Sequence, residues 1–346
     1  MNRKILILIV PFFYCLTACQ PKPTPKEALE TKVQTQIDSI EGDVAVAFLN
    51  LSDPTDTLFI NENEEFHAAS TMKVPVMIEL FKQQASGKIN LNDSILLVNE
   101  FKSIVDGSLY RMDIADDSDD VIYDKIDTKV AINDLMYSMI TVSSNLATNV
   151  LIELVDAKKV TATMRELGAD KIEVLRGVED IKAYELGLSN STTAKDLLVI
   201  MESIATNKAG TETNCKAMVD ILKDQQFNDM IPAKLPKAVE VAHKTGSITG
   251  VHHDAGIVYL PDGRSYILVL LSKNLKDFDR GTEQLADISK TFYDYLMEQN
   301  RWFSFFRCNI FDDSESYGLI IKKQSEWHSP TWQVHALPLF LFPPFF

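Results

Sequence analysis

The chain has 346 residues, 46% of them hydrophobic and 24% charged, which is ample for a large core as one domain or two interlocked lobes. A formal net charge of −15 argues against a polyanionic partner such as nucleic acid. Four cysteines, at positions 15, 19, 215 and 308, do not make a disulfide framework, and no Cys or His pair stands at metal-ligand spacing, so neither a metal nor another cofactor is expected.

Met1-Asn2-Arg3-Lys4 is a short basic region, and residues 5–14 form an apolar run too short to span a bilayer. Leu16-Thr17-Ala18-Cys19 follows and looks like a bacterial lipobox. Residues 1–18 are therefore expected to be a lipoprotein signal peptide cleaved before a lipidated Cys19. Acyl chains on Cys19 would hold the protein on a membrane of the bacterial cell envelope, facing the periplasm or exterior. Residues 19–27, with Pro21, Pro23 and Pro25, read as the lipidated residue and a semi-rigid tether.

A helix is predicted over 26–40, with Leu29, Val33, Ile37 and Ile40 on one face. Segments 44–51 and 57–60 read as paired strands around the turn signal Asp53-Pro54-Thr55-Asp56. Ser70-Thr71-Met72-Lys73 then opens an apolar helix running to about Ser86. A serine is a poor nucleophile until a base takes its proton, and residues three apart share a helix face, so the Lys73 amine can reach the Ser70 hydroxyl. Asp113, Asp116, Asp117, Asp119, Asp120 and Asp124 crowd residues 106–124. Their spacing is not an EF-hand, and a solvated acidic loop is expected.

Met139 to Asn149 carries Ser143-Ser144-Asn145, where a serine side chain is a natural helix N-cap. Mostly helical and loop structure continues to about Leu222. Strands are predicted at 239–244, 255–260 and 266–271, the last two joined by the turn Pro261-Asp262-Gly263-Arg264. Lys244-Thr245-Gly246-Ser247 ends the first of these strands; period two puts Lys244 and Gly246 on one face and lets a substrate backbone approach at the glycine. His252-His253-Asp254 is expected in a surface or turn role. A closing amphipathic helix covers 283–299. Residues 301–346 hold all three tryptophans and end in an aperiodic aromatic run, so they are expected to be an atypical tail outside the fold.

Ser-x-x-Lys, Ser-x-Asn and Lys-Thr-Gly, in that order, are the signatures of the penicillin-recognising serine enzymes. The chain resembles class A β-lactamases and related serine hydrolases from about Leu29 to Asn300. Ser272-Lys273-Asn274 also fits the second pattern but follows the third, so it is taken as chance. The resemblance implies an α+β, β-lactamase/transpeptidase-like fold in a domain spanning 28–300. An antiparallel sheet flanked by helices would come from 28–66 and 235–300, a mostly helical lobe from 67–234, with the active site in the cleft between them. It implies a monomeric serine hydrolase that opens β-lactams through an acyl-enzyme on Ser70. Lys73 would be its proton partner and Ser143 a shuttle to the leaving nitrogen. Asn145 would bind the substrate side-chain amide and Thr245 would add a hydroxyl donor. Lys244 would supply charge for the substrate carboxylate, and the N–H groups of Ser70 and Ser247 would form an oxyanion hole.

The chain departs from the family in four places. Ser144 stands where Asp is usual. The carboxylate-binding arginine is missing from residues 250–254, leaving His253 or the distant Arg280 as substitutes. Glu179 lies at the interval expected of the deacylating base, with Asp180 and Glu185 as rivals, but outside the usual surrounding sequence. Ala183 occupies the place of an asparagine that helps hold the water. A D-Ala-D-Ala carboxypeptidase, or another serine hydrolase acting on peptidoglycan-derived or ester substrates, is therefore the alternative, and a catalytically silent receptor a third.

Overall fold

The structure is a computed structural model that describes residues 23–312. The expected signal peptide, Cys19 and the aromatic end of the tail lie outside the described residues. The helices are α1 (Pro25–Asp38), α2 (Lys73–Ala85), α3 (Ile132–Thr141), α4 (Asn145–Val155), α5 (Ala157–Glu166), α6 (Ile181–Glu185), α7 (Ala194–Ala205), α8 (Glu212–Lys223) and α9 (Phe278–Asp312). The strands are β1 (Asp43–Asn50), β2 (Thr57–Ile60), β3 (Phe66–His67), β4 (Ser94–Leu96), β5 (Phe101–Lys102), β6 (Leu109–Tyr110), β7 (Lys129–Ala131), β8 (Ser191–Thr192), β9 (Glu240–Ile248), β10 (Val251–Tyr259) and β11 (Ser265–Lys273).

Five strands make one antiparallel sheet in the order β2-β1-β11-β10-β9, and the remaining strands pair in three two-stranded ribbons. The sheet thus joins segments from both ends of the chain, while the middle supplies helices, which is the α+β arrangement expected. β1 and β11 are buried along almost their whole lengths because helices cover both faces. Ala45, Ala47 and Leu49 face the core shared with α2, α4 and α7. On the other face Phe48 stacks on Phe292 of α9, ring centroids 4.7 Å apart.

Local signals set the helix ends. Thr24 and Glu27 form a reciprocal capping box at α1, with Pro25 in the first turn, where its missing N–H costs nothing. Thr193 caps α7 and Thr211 caps α8 in the same side-chain-to-backbone manner. α9 begins before the predicted 283 and runs beyond 299 to Asp312, and Met297 onward forms a unit separate from the rest of the chain. Cys215 is a buried free thiol. Among the described residues no helix is long and apolar enough to cross a membrane.

Two sequence expectations fail here. His252-His253-Asp254 is neither surface nor turn: all three are buried within β10, where both faces of the sheet are covered. The acidic segment is only partly a solvated loop. Asp117 accepts the N–H groups of Asn145 and Leu146 at 2.8–3.0 Å, placing a carboxylate at the positive N-terminus of α4. Asp113 caps a short 3-10 turn, and Asp119 is buried.

Candidate active site

The segment bearing Ser70 is a 3-10 turn, Ala69–Met72, that hands over to α2 at Lys73. Ala69 has φ +44°, a left-handed conformation that side chains rarely adopt. Its N–H donates to Nδ1 of His67 at 3.0 Å, and the N–H of the preceding Ala68 donates to Asn190 O. β9 presses on this turn. A Cβ on Gly246 would lie 3.0 Å from the Ser70 nitrogen and 3.1 Å from that of Thr71. The position of the missing Cβ of Gly246 is therefore filled by the nucleophile turn, while the glycine itself lines a cavity that Ser70 shares.

Ser143 and Glu179 share the positive φ of Ala69, at +59° and +60°. Each such position costs on the order of 1–3 kcal/mol and persists only where surrounding contacts hold it, and all three flank the same cleft. At Ser143 the contacts come from two amines. Lys73 Nζ donates to Ser143 O at 2.8 Å, Ser143 Oγ at 3.1 Å and Asn145 Oδ1 at 2.8 Å. Lys244 Nζ reaches the same Ser143 Oγ at 3.1 Å and Thr245 O at 3.0 Å. The expected Lys73–Ser70 hydrogen bond is not formed, since the amine is turned to the Ser143 loop. Catalytic hydrogen bonds often tighten only when substrate is bound.

Both lysines are completely buried. Burial pulls the Lys73 amine down to about 7, against the opposing pull of Asp117 and Glu179. Burial, reinforced by the charge of Lys73, holds Lys244 well below the usual lysine range. An amine near 7 is partly neutral at neutral pH and can accept a proton.

Glu179 sits on a loop fastened by side-chain amides. Asn149 Oδ1 accepts the Val178 N–H at 2.6 Å, and its Nδ2 donates to Val178 O at 3.0 Å. Asn190 clasps Leu175 and Arg176 in the same way, and Arg176 Nε donates to Leu188 O. Gly177 has to be a glycine, because a Cβ there would fall 2.3 Å from Asn149 Oδ1. Burial, with Asp116 next, pushes the Glu179 carboxyl above the usual glutamate range, while Arg176 and Lys73 pull the other way. Of its rivals, Asp180 is buried and committed: it caps α6 and accepts from Ser103 Oγ and Ile104 N at 2.9 Å. Glu185 is exposed and lines no cavity beside Ser70.

Ser70, Asp116, Asn145 and Ser247 line two cavities in common. One, of about 350 Å³, adds Glu179, His67, Val178, Ile181, Tyr184 and Ile248. The other, of about 360 Å³, adds Ser143, Thr245, Gly246, Phe227, Asp229 and His252. The structure therefore gathers Ser70, Ser143, Asn145, Glu179, Thr245, Gly246 and Ser247 around one opening. Lys73 and Lys244 lie behind the wall. His253 does not face the opening: its Nε2 donates to His67 O at 2.8 Å and its Nδ1 accepts the Ser272 N–H. Arg280 is exposed and lines neither cavity. Ser272 donates to His252 O and is structural.

Asp116, Asp117, Asn149 and His252 were not read from sequence as site residues. Asn149 carried a signal, one turn beyond Asn145 on the same helix face. Asp117 carried none, because its partner amides lie far along the chain.

The arrangement holds a hydroxyl at a backbone turn, a partly neutral amine, a second hydroxyl between two amines, and a loop carboxylate, which together suit acyl transfer to serine followed by hydrolysis. Comparison with known proteins agrees. The model of the beta-lactamase enzyme family matches residues 28–296. The extended-spectrum beta-lactamase PER-1 of Pseudomonas aeruginosa is 24% identical over 306 residues, covering 85% of this chain and 94% of that protein. Among solved structures, a beta-lactamase from Sphaerobacter thermophilus superposes with TM-score 0.66 at 25% identity, covering 77% of this chain and 96% of that one. PBP-A superposes with TM-score 0.69 at 25% identity, covering 80% and 99%.

Proposed function

The chain belongs to the beta-lactamase enzyme family, and from that premise we propose the route by which it opens and hydrolyses β-lactams. The observation that carries this reading is Ser143 Oγ, held 3.1 Å from both Lys73 Nζ and Lys244 Nζ in the wall of the cavity that contains Ser70. Ser70 Oγ attacks the lactam carbonyl carbon, and neutral Lys73 takes the hydroxyl proton. The tetrahedral oxyanion is received by the N–H groups of Ser70 and Ser247. As the carbon–nitrogen bond breaks, Ser143 passes its proton to the departing nitrogen and recovers one from Lys73. Lys244 keeps the Ser143 hydroxyl oriented through this exchange. Asn145 and Thr245 present polar groups to the substrate at the cavity wall.

Hydrolysis of the acyl-serine needs an activated water. Glu179, its carboxyl raised by burial and by Asp116, takes a proton from that water as the oxygen attacks the ester carbon. The proton then returns to Ser70 Oγ as the ester bond breaks, restoring the free enzyme.

A D-Ala-D-Ala carboxypeptidase is the second reading. One observation favours it: Ala183 is buried on α6 and offers no side-chain hydrogen bond to a water near Glu179. PBP-A also matches as well as the beta-lactamases do, and a variant of it is described as an acyl-enzyme complex with penicillin G. The N-terminal sequence supports a lipid-anchored protein of the bacterial envelope, acylated at Cys19. Incubation of purified protein, starting at the mature N-terminus, with a slowly hydrolysed β-lactam tests the main reading. The drug's mass should appear on the peptide containing Ser70, and Ser70→Ala should lose both adduct and turnover. Labelling elsewhere, or unchanged turnover in the variant, would end it.

A further inference from the structure

Asp254 is buried in β10, and His243 is buried in β9 next to Lys244. The register sets Asp254 opposite Thr245 and His243 opposite Gly256, so the two side chains lie diagonally on one face of the sheet. A Cβ on Gly256 would fall 2.9 Å from the His243 Cβ, so the bare residue makes room for the ring. His243 Nδ1 lies 2.9 and 3.0 Å from the two Asp254 carboxylate oxygens, and its Nε2 lies 3.2 Å from Asn228 Oδ1. The Asn228 amide nitrogen donates to Gln225 O at 3.0 Å, so it is the amide oxygen that faces the ring. Both ring nitrogens therefore donate, and the charged ring balances a buried carboxylate.

The pair reaches the segment between α8 and β9. Asp254 Oδ2 also accepts the Ile231 N–H at 3.0 Å, and Ser289 of α9 donates to Ile231 O at 2.8 Å. At the other end of the segment, Gln225 Oε1 accepts the Phe227 N–H at 3.2 Å while its Nε2 donates to Ile140 O at 3.0 Å. The Gln226 N–H donates to Thr141 O at 3.0 Å. Residues 225–231 are thus tied at one end to the last turn of α3, just before Ser143, and at the other to β9 and β10 beside Lys244. Between the ties, Phe227 and Asp229 line the cavity that holds Ser143 and Thr245. Ser143 gives its proton to the departing nitrogen, so the groups that nitrogen carries lie against this wall. The cavity that holds Glu179 lacks Ser143, Phe227 and Asp229.

We propose that His243 and Asp254 are positioning residues, which act through Asn228 and Ile231 to hold Phe227 and Asp229 as the wall that receives the leaving side of the substrate, and so set which leaving-side groups the enzyme accepts. Neither residue of the pair lines a cavity beside Ser70, and the effect passes through the segment they anchor. Phe227 and Asn228 are exposed, so few packing contacts fix them and the hydrogen bonds carry their placement. The assignment rests on the β-lactam reading above.

The test uses two β-lactams with the same acyl side chain, one bearing an aromatic group and the other a methyl group on the ring fused at the lactam nitrogen. Acylation of wild-type Ser70 by each is scored by mass before kinetics. His243→Ala leaves Asp254 as an uncompensated buried carboxylate, so its melting temperature is measured first. Asn228→Ala, at an exposed position, cuts the same link while the pair stays intact, and it decides the matter if His243→Ala does not fold. One hydrogen bond corresponds to about a twofold to tenfold change, so Asn228→Ala should raise KM for the aromatic compound by that factor, with kcat kept and KM for the methyl compound unchanged. Amides of residues 227–231 should exchange hydrogen faster in the same variant. Asn228→Asp keeps an acceptor for His243 Nε2 and should return KM toward wild type. Equal KM rises on both compounds, an unchanged KM for the aromatic one, or no rescue by Asn228→Asp would overturn the proposal. A wild type acylated by neither compound would instead overturn the β-lactam reading, and this proposal with it.

Discussion

The side-chain amide of Asn149 pairs with both backbone groups of Val178, accepting its N–H at 2.6 Å and donating to its carbonyl at 3.0 Å. A helix side chain here does the work of a strand neighbour, and the residue it fixes is the one before Glu179. Asn149→Ala would leave the Val178 N–H without its partner, while the Val178 carbonyl keeps the Tyr110 hydroxyl, costing on the order of 1–3 kcal/mol. The expected result is slower deacylation with acylation largely kept, visible as acyl-enzyme accumulating in a stopped mass-spectrometric time course. Equal slowing of both steps would show that Asn149 acts on more than the loop.

Glu179 and its neighbours should separate cleanly. General-base catalysis contributes about 10²–10⁴-fold, enough for Glu179→Ala to turn deacylation into the slow step and give a burst followed by a slow steady state. Glu185→Ala, at an exposed position, should leave turnover nearly unchanged. Asp180→Ala should chiefly lower the melting temperature, because it removes a helix cap and the anchor of Ser103 and Ile104. A full hydrolytic rate in Glu179→Ala would refute the assignment of the base.

Lys73 ties rate and stability to pH. Burial lowers its amine from 10.5 to about 7, so acylation should rise with pH through about 7 as the neutral base fills. For stability, the unfolded chain binds a proton on this lysine up to its ordinary range, while the folded chain gives it up from about 7. Between those points the unfolded state holds more protons, so stability contributed by this group rises with pH and is weakest below about 7. Lys244 acts in the same direction. Urea midpoints measured from pH 6 to 9 should therefore climb less steeply in Lys73→Met than in wild type. Parallel slopes would contradict the lowered Lys73.

Gly246→Ala probes the contact between β9 and the nucleophile turn. The new Cβ would meet the backbone nitrogens of Ser70 and Thr71 at 3.0 and 3.1 Å, so the turn or the strand has to move. Overpacking of this kind costs about 1–3 kcal/mol. A displaced nucleophile loses about 10²-fold in rate. Melting temperature and the acylation rate constant should both fall, and preserved acylation would show that the turn is less rigidly placed than the geometry indicates.

Much of this protein could be read from its residues. The turn signals and apolar runs located the five sheet strands, and the order of three short motifs pointed to a serine acyl-transfer enzyme of the β-lactamase type. Those features are local: a turn, a strand or a tetrapeptide carries its own chemistry. What tertiary structure decided depends on segments distant in the chain. The surface or turn role expected of His252-His253-Asp254 failed because β10 is buried along almost its whole length, so three polar residues in a row do not mark an exposed segment there. Lys244 read as a charge offered to substrate. Packing instead sealed it behind Ser143, where burial holds its amine well below the usual lysine range. Asp117 read as one acid among many until folding set it against the first amides of α4. The sequence by itself determined which residues carry the chemistry and in which elements they lie. Burial and partners, which arise only when distant segments meet, decided which of them are charged and which face the cleft.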